Sequence, residues 1–353
     1  MTTRRVCLTI LVAVCWAVPS RLAFIEPVAA KPIAPRLTDR DFWKLVDDLS
    51  EPDGSFRSEN LLSNELGFQR VIPDLLRTAR KAHAYLGVGP EQNFSYIAAI
   101  RPSIAFIIDV RRANLDLQLL YKALFELASD RAEFVSLLFS RPRATGIGRG
   151  STARDIFDAS LASAPSERIF LENAASIRDQ LSTRHGFDLS EDDLRGIEFV
   201  FRAFFTFGPQ IRYSPIGLGA GTTQPTYWQL MAATDEEGNQ HGYLASEDAF
   251  AYVKDLETRN LVVPVVGNFA GQKTLRAIGD HLRRQGERVS TFYVSNVEEY
   301  LKRDGSWDVF CGNVGTLPVD ASSVFIRSYR NGDAYAQAEG MVSELAPMTT
   351  CGG

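Results

Sequence analysis

Two glycines and an aspartate carry the first chemical suggestion in this chain. Gly87 lies near the end of the short apolar run AHAYLGV and Gly89 directly follows it, Gln92 and Asn93 open a helical run, and Asp109 ends the next apolar run. A backbone without Cβ lets a ligand approach closely, and free N–H groups at a helix start attract polar or negative groups. A carboxylate at the end of the following strand accepts the hydroxyls of a ribose. This order of parts fits two ligand classes. A dinucleotide such as NAD asks for a third glycine, and Gln92 stands in its place, where it crowds a pyrophosphate. S-adenosylmethionine (SAM) has no phosphates, so Gly87, Gly89 and Asp109 suffice, and SAM is the favoured expectation. The plainer alternative is a tight strand-to-helix turn with Asp109 capping the next helix. Arg111 and Arg112 follow; one of them pairs with Asp109 or holds a ligand carboxylate, unless they are only the solvated start of a helix.

Other strand ends offer amides and hydroxyls. VVGNFAG places Gly267, Asn268 and Gly271 at one, FYVSNVEEY places Tyr293, Ser295 and Asn296 at a second, and FCGNVGTLP places Asn313 at a third. Asn268, Tyr293 and Asn296 are the candidate substrate pocket, although Ser295 or Asn296 would also serve as an ordinary N-cap before VEEYL. No Gly-x-Ser-x-Gly, Walker lysine loop or His-Glu-x-x-His is present, nor the Asn/Asp-Pro-Pro-Tyr of amino-methylating enzymes. The four histidines are scattered, so no catalytic residue can be named. Methyl transfer tolerates that, because positioning supplies much of its rate. Cys311 and Cys351 lack neighbouring histidines, so no metal site is expected, while one disulfide between them is possible.

The elements that would position these residues alternate. A Thr38-capped helix and a second helix or pair broken near Pro73 come first. Strand AHAYLGV, helix EQNFSYIAAI, strand SIAFIIDV and the long helix RANLDLQLLYKALFELASD follow. Residues 131–258 are mostly helical by pattern and contain two glycine-rich loops, RATGIGRGST and SPIGLGAGTTQPTY, either linkers or covers over a site. Alternation resumes with NLVVPVVGNF, GQKTLRAIGDHLRRQ, RVSTFYVS and NVEEYLKRDG, after which WDVFCGNV and SSVFIRSYR read as strands. The tail 331–353 adds one weak helix. The expected fold is α/β: a Rossmann-like parallel or mixed sheet with helices on both faces, one domain over 31–330 with a helical insertion.

The chain has 353 residues, is 45% hydrophobic and carries a net charge of −5. That supports an ordered core and argues against nucleic-acid partners, which want a basic surface. Residues 1–30 differ from the rest: MTTRR is a basic start, VCLTILVAVCWAV a short apolar stretch, and Val28-x-Ala30 a small-residue cleavage pattern. Export through a signal peptide, to the periplasm or outside, is the expectation; the alternative is an N-terminal membrane anchor. No other membrane contact is expected.

YLGVGPEQNFSYIAAIRPSIAFIIDVRRANLDLQLLYKALFELASDRAEF, VVPVVGNFAGQKTLRAIGDHL, STFYVSNVEEYL and NVGTLPVDASSVFIRS together resemble a family of uncharacterised bacterial proteins grouped as a domain of unknown function. The resemblance runs from about Asp41 to Arg330 and implies a Rossmann-like fold similar to SAM-dependent methyltransferases, without an assigned reaction. By position it carries Gly87, Gly89, Gln92, Asn93 and Asp109 onto the nucleotide side. It departs at Asn268, where an aspartate is the usual residue. Three functions follow as expectations. The first is a SAM-dependent methyltransferase acting on an unknown small molecule or protein. The second is an exported, non-catalytic binder of a small ligand. The third, disfavoured by Gln92, is a nicotinamide-dependent oxidoreductase.

Overall fold

The computed structural model describes residues 36–214, 224–330 and 341–351. The leader and most of the second glycine-rich loop lie outside the described residues. Helix α1 (Asp39–Leu49) is capped by Thr38, whose hydroxyl accepts the Asp41 N–H, and it buries Phe42, Val46 and Leu49. A 3-10 turn (Phe68–Val71) leads into α2 (Ile72–Thr78), where Pro73 stands near the start, a position that needs no N–H donor. The alternation then runs β1 (Ala84–Val88), α3 (Gln92–Ile100), β2 (Ala105–Asp109) and α4 (Arg112–Leu127).

Six helices intervene before the next strand: α5 (Arg131–Phe139), α6 (Ala153–Ala162), α7 (Glu167–Arg178), α8 (Glu191–Phe207), α9 (Tyr227–Ala232) and α10 (Glu247–Thr258). Helices α5, α7, α8 and α10 pack on α4, α6 packs on α5 and α9 on α6, and Arg131, 1% exposed, ties their loops together. Its guanidinium pairs with Glu247 and donates to the carbonyls of Leu244, Arg149 and Ser151. A buried arginine holds such a position only because its donors are matched.

The chain returns to the sheet with β3 (Val262–Val266), α11 (Thr274–Arg284), β4 (Val289–Ser295), α12 (Val297–Arg303), α13 (Trp307–Val314), β5 (Val324–Arg330) and β6 (Met341–Pro347). Strand order is β3-β2-β1-β4-β5-β6, parallel throughout except for β6 against β5. This is a doubly wound α/β sheet of Rossmann-like order. Every residue of β2 and β3 is buried, as two-sided cover requires. Pro264, which cannot donate to a ladder, lies in β3 at the sheet edge. Among the described residues no helix is long and apolar enough to cross a membrane.

Two sequence expectations are corrected. WDVFCGNV is helix α13, not a strand: its buried residues Phe310, Asn313 and Val314 recur at helical spacing. The described part of the tail, 341–351, holds strand β6 and a short 3-10 turn (Met348–Thr350), because the open edge of β5 supplies a pairing partner from Val324 to Arg330; residues 331–340 lie outside the described residues.

Cys311 on α13 and Cys351 beyond β6 form a disulfide, with Cα atoms 5.3 Å apart. It closes a loop of 40 residues and pins the edge strand to the sheet's helical cover. Breaking it should cost about 2–4 kcal/mol, chiefly by freeing the unfolded chain. Cys351→Ser and wild type in dithiothreitol should therefore melt at the same lowered temperature. A variant as stable as the oxidised protein would refute this.

Candidate functional site

A cavity of about 700 Å³ opens beyond the carboxyl ends of the strands. Its floor comes from Val88–Pro90 after β1, Ile108–Val110 at β2, Gly267–Phe269 after β3, and Tyr293, Ser295 and Asn296 at β4. Strand order reverses between β1 and β4, and the crevice there is where open α/β sheets bind ligands.

The turn after β1 divides the nucleotide-side candidates. Gly89 lines the cavity with φ +78°, and no protein atom lies within 4 Å of where a Cβ would stand. Gly87 faces protein instead: a Cβ there would run into the Asn93 Oδ1 and the Tyr85 hydroxyl, which hydrogen-bond each other at 2.8 Å. Asn93 Nδ2 donates to the carbonyls of Val88 at 2.9 Å and Pro90 at 2.7 Å, so it stitches the turn shut. Gln92 is fully buried, donating to Glu65 and to the Tyr96 hydroxyl. Gly87, Gln92 and Asn93 thus shape the turn from below. Glu91, also buried, accepts the Ser63 N–H at 3.1 Å and its own backbone N–H. Burial pushes its carboxyl up to about 8. Its side chain caps no N–H of α3 and does not line the cavity.

Asp109 lines the cavity at the end of β2 and is 6% exposed. Arg111 grips it through Nε at 3.0 Å and Nη2 at 2.9 Å, and its Nη1 donates to the carbonyls of Ser58 and Glu59. Of the two roles open to the arginines, Arg111 takes the pairing one. Arg112 is engaged by Asp193 at 2.6 Å, so neither guanidinium presents a free fork to a ligand.

On the other side, Asn268 is exposed on the cavity wall, its Oδ1 accepting the Ala270 N–H at 2.9 Å. Asn296 precedes α12 but makes no side-chain cap, so its amide is left for the cavity. Asn313 lies on α13 with Nδ2 on the carbonyls of Phe269 and Gly271; it braces the wall from behind. Tyr293 reaches the cavity while its hydroxyl donates to Glu65 at 2.8 Å. Burial raises its phenol well above the ordinary value, which removes it as a base. Ser295, left-handed at φ +50°, also donates to Glu65.

Residues 61–147 and 168–348 match the family described as "Domain of unknown function (DUF7790)". The chain belongs to that family. No curated protein matches it. The matched segments contain all six strands and the whole cavity floor, while Ser55, Phe56, Arg57 and Asn60 of the lining precede them.

Two parts of the candidate site were missed in the sequence. Glu65, 1% exposed, gathers donors from Tyr293, Ser295, Ser328, Gln92 and Ser343. Its partners lie up to 278 residues away, beyond the reach of any local pattern. The second part is the cover. Ser55, Phe56, Arg57, Asn60 and Leu62 overlie the cavity from an aperiodic segment after α1, opposite Tyr300 and Arg303 of α12. The loop RATGIGRGST, considered above as a cover, contributes nothing to the cavity lining; Arg131 holds its end inside the insertion.

Proposed function

We propose that the crevice binds an adenosine-type nucleoside of the SAM class and that the protein is a methyltransferase-like member of DUF7790. The observation that carries this reading is the contrast between the two ends of the turn. Gly89 leaves open space above β1 and Asp109 stands at the end of β2, as a ribose needs. Where a dinucleotide-binding turn wants its third glycine, Gln92 puts a buried side chain tied to Glu65 and Tyr96. This favours a nucleoside without phosphates over NAD.

Methyl transfer would then proceed by placement. Held over Gly89 and Asp109, S-adenosylmethionine would supply an electrophilic methyl group, and the acceptor would lie on the Asn268–Asn296 side. The amides of Asn268 and Asn296 orient the acceptor, and such fixing of reactants supplies much of the acceleration.

A second reading has its own support. The Cys311–Cys351 disulfide suits an oxidising compartment, in keeping with an exported protein that uses the crevice to bind a ligand without chemistry. One titration series separates the readings. S-adenosylhomocysteine at 100 times its Kd should stabilise the protein by about 2.7 kcal/mol, and NAD should not. Asp109→Asn should weaken the nucleoside by about tenfold or more, since charge-assisted bonds worth about 1.5–3 kcal/mol are lost. No response to S-adenosylhomocysteine would overturn the SAM-class reading and leave the second one standing.

A further inference from the structure

We infer that Arg57, with Arg303, forms an oxyanion subsite at the mouth of the cavity, built for a carboxylate or phosphate. The inference rests on the nucleoside reading only for what fills the floor beneath.

Four charged side chains line the cavity: Arg57, Asp109, Arg303 and Asp304. Asp109 is neutralised by Arg111, and Asp304 meets Arg303 Nε at 3.1 Å. Arg57 makes no ion pair among the described residues. Its guanidinium carbon lies 6.0 Å from the centroid of the Tyr300 ring, and that of Arg303 lies 4.8 Å from the same centroid. Phe56 meets Tyr300 edge-on at 5.5 Å. One aromatic ring thus gathers two guanidinium groups, a geometry that attracts cations to the ring and limits their wandering. Arg303 uses only Nε on Asp304, so its terminal nitrogens stay available.

The charge balance points to the ligand. In a chain of net charge −5, this mouth carries an uncompensated positive group. The planar fork of arginine matches the paired oxygens of carboxylate and phosphate. The mouth is also tied to the floor: Arg111, gripping Asp109, holds the carbonyls of Ser58 and Glu59, the two residues after Arg57. A ligand touching Asp109 therefore has the arginine-bearing segment fixed above it. The oxyanion has two possible sources, the amino-acid end of the nucleoside ligand or a separate acidic co-substrate.

The test uses the wild-type protein, Arg57→Gln, Arg303→Gln and the double variant. The probes are S-adenosylhomocysteine, 5′-methylthioadenosine (the same nucleoside without the carboxylate) and inorganic phosphate. Phosphate should raise the melting temperature of wild type and leave the double variant unmoved. If the oxyanion belongs to the nucleoside ligand, Arg57→Gln weakens S-adenosylhomocysteine roughly tenfold and leaves 5′-methylthioadenosine within twofold. If it belongs to a co-substrate, both nucleosides bind the variants as they bind wild type, and only the phosphate response disappears. Identical phosphate responses and identical nucleoside affinities in wild type and double variant would overturn the subsite. Failure of both nucleosides to bind wild type would overturn the nucleoside reading alone, because the phosphate arm still decides the mouth.

Discussion

Replacing Glu65 with alanine is expected to destabilise the protein by about 3–5 kcal/mol, the range reached when a buried polar network loses its centre. The carboxyl of Glu65 receives Tyr293 at 2.8 Å, Ser328 at 2.7 Å and Gln92 at 2.9 Å, besides Ser295 and Ser343. Alanine leaves these donors buried without an acceptor, and each orphan costs about 1–3 kcal/mol before relaxation. The loss is structural in three places together. Tyr293 and Ser295 end β4, Ser328 lies on β5 and Ser343 on β6. One side chain from the segment that follows the cover thus fastens the cavity to the last three strands. Glu65→Gln keeps the shape and one acceptor but turns an amide donor toward hydroxyls, so its cost should be smaller. Urea unfolding of the two variants measures both effects. A loss below about 1 kcal/mol for alanine would show that water replaces the carboxyl without penalty.

The Glu65 network also marks where sequence reading stops. β1, α3, β2 and α4 were legible because a buried parallel strand and an amphipathic helix each write their period into adjacent residues. The same logic located Gly89, Asp109, Asn268, Tyr293 and Asn296 at strand ends, and the sheet brings these five to one crevice. Short apolar runs defeated it. WDVFCGNV has no length in which to show a period, and only its packing through Phe310, Asn313 and Val314 makes it helical. MVSELAP contains good helix formers, yet β5 offers seven paired positions and the sheet edge prevails. The cover residues Phe56 and Arg57 had no signature at all. Their meaning comes from Tyr300, more than two hundred residues later, and from Arg111 beneath the loop.

Stability should fall steeply as pH rises from about 5 to 9, the reverse of what ion-paired carboxylates alone would give. Burial pushes the carboxyls of Glu91, Asp116 and Glu257 up to about 8 each. Their unfolded values are 4.5, 3.8 and 4.5, so across this window the folded state binds more protons than the unfolded one. The stability they contribute is complete below the unfolded values and lost as pH climbs through the folded ones, at about 1.4 kcal/mol per pH unit for each group. His185 adds to the same trend. Burial pulls its imidazole down, but hydrogen bonds to Glu126 and Asp39 outweigh that and raise it. Asp39 and Glu126 work the other way: burial raises both, their partners lower them further, and they lose stability only under acid. Maximum stability is therefore expected near pH 5. Glu91→Gln isolates one contribution, since an amide in that place cannot ionise. The variant should lose on the order of 2–4 kcal/mol less than wild type between pH 5 and pH 9, read from urea midpoints at each pH. Parallel curves for the two proteins would mean that Glu91 ionises within the fold as easily as in the unfolded chain.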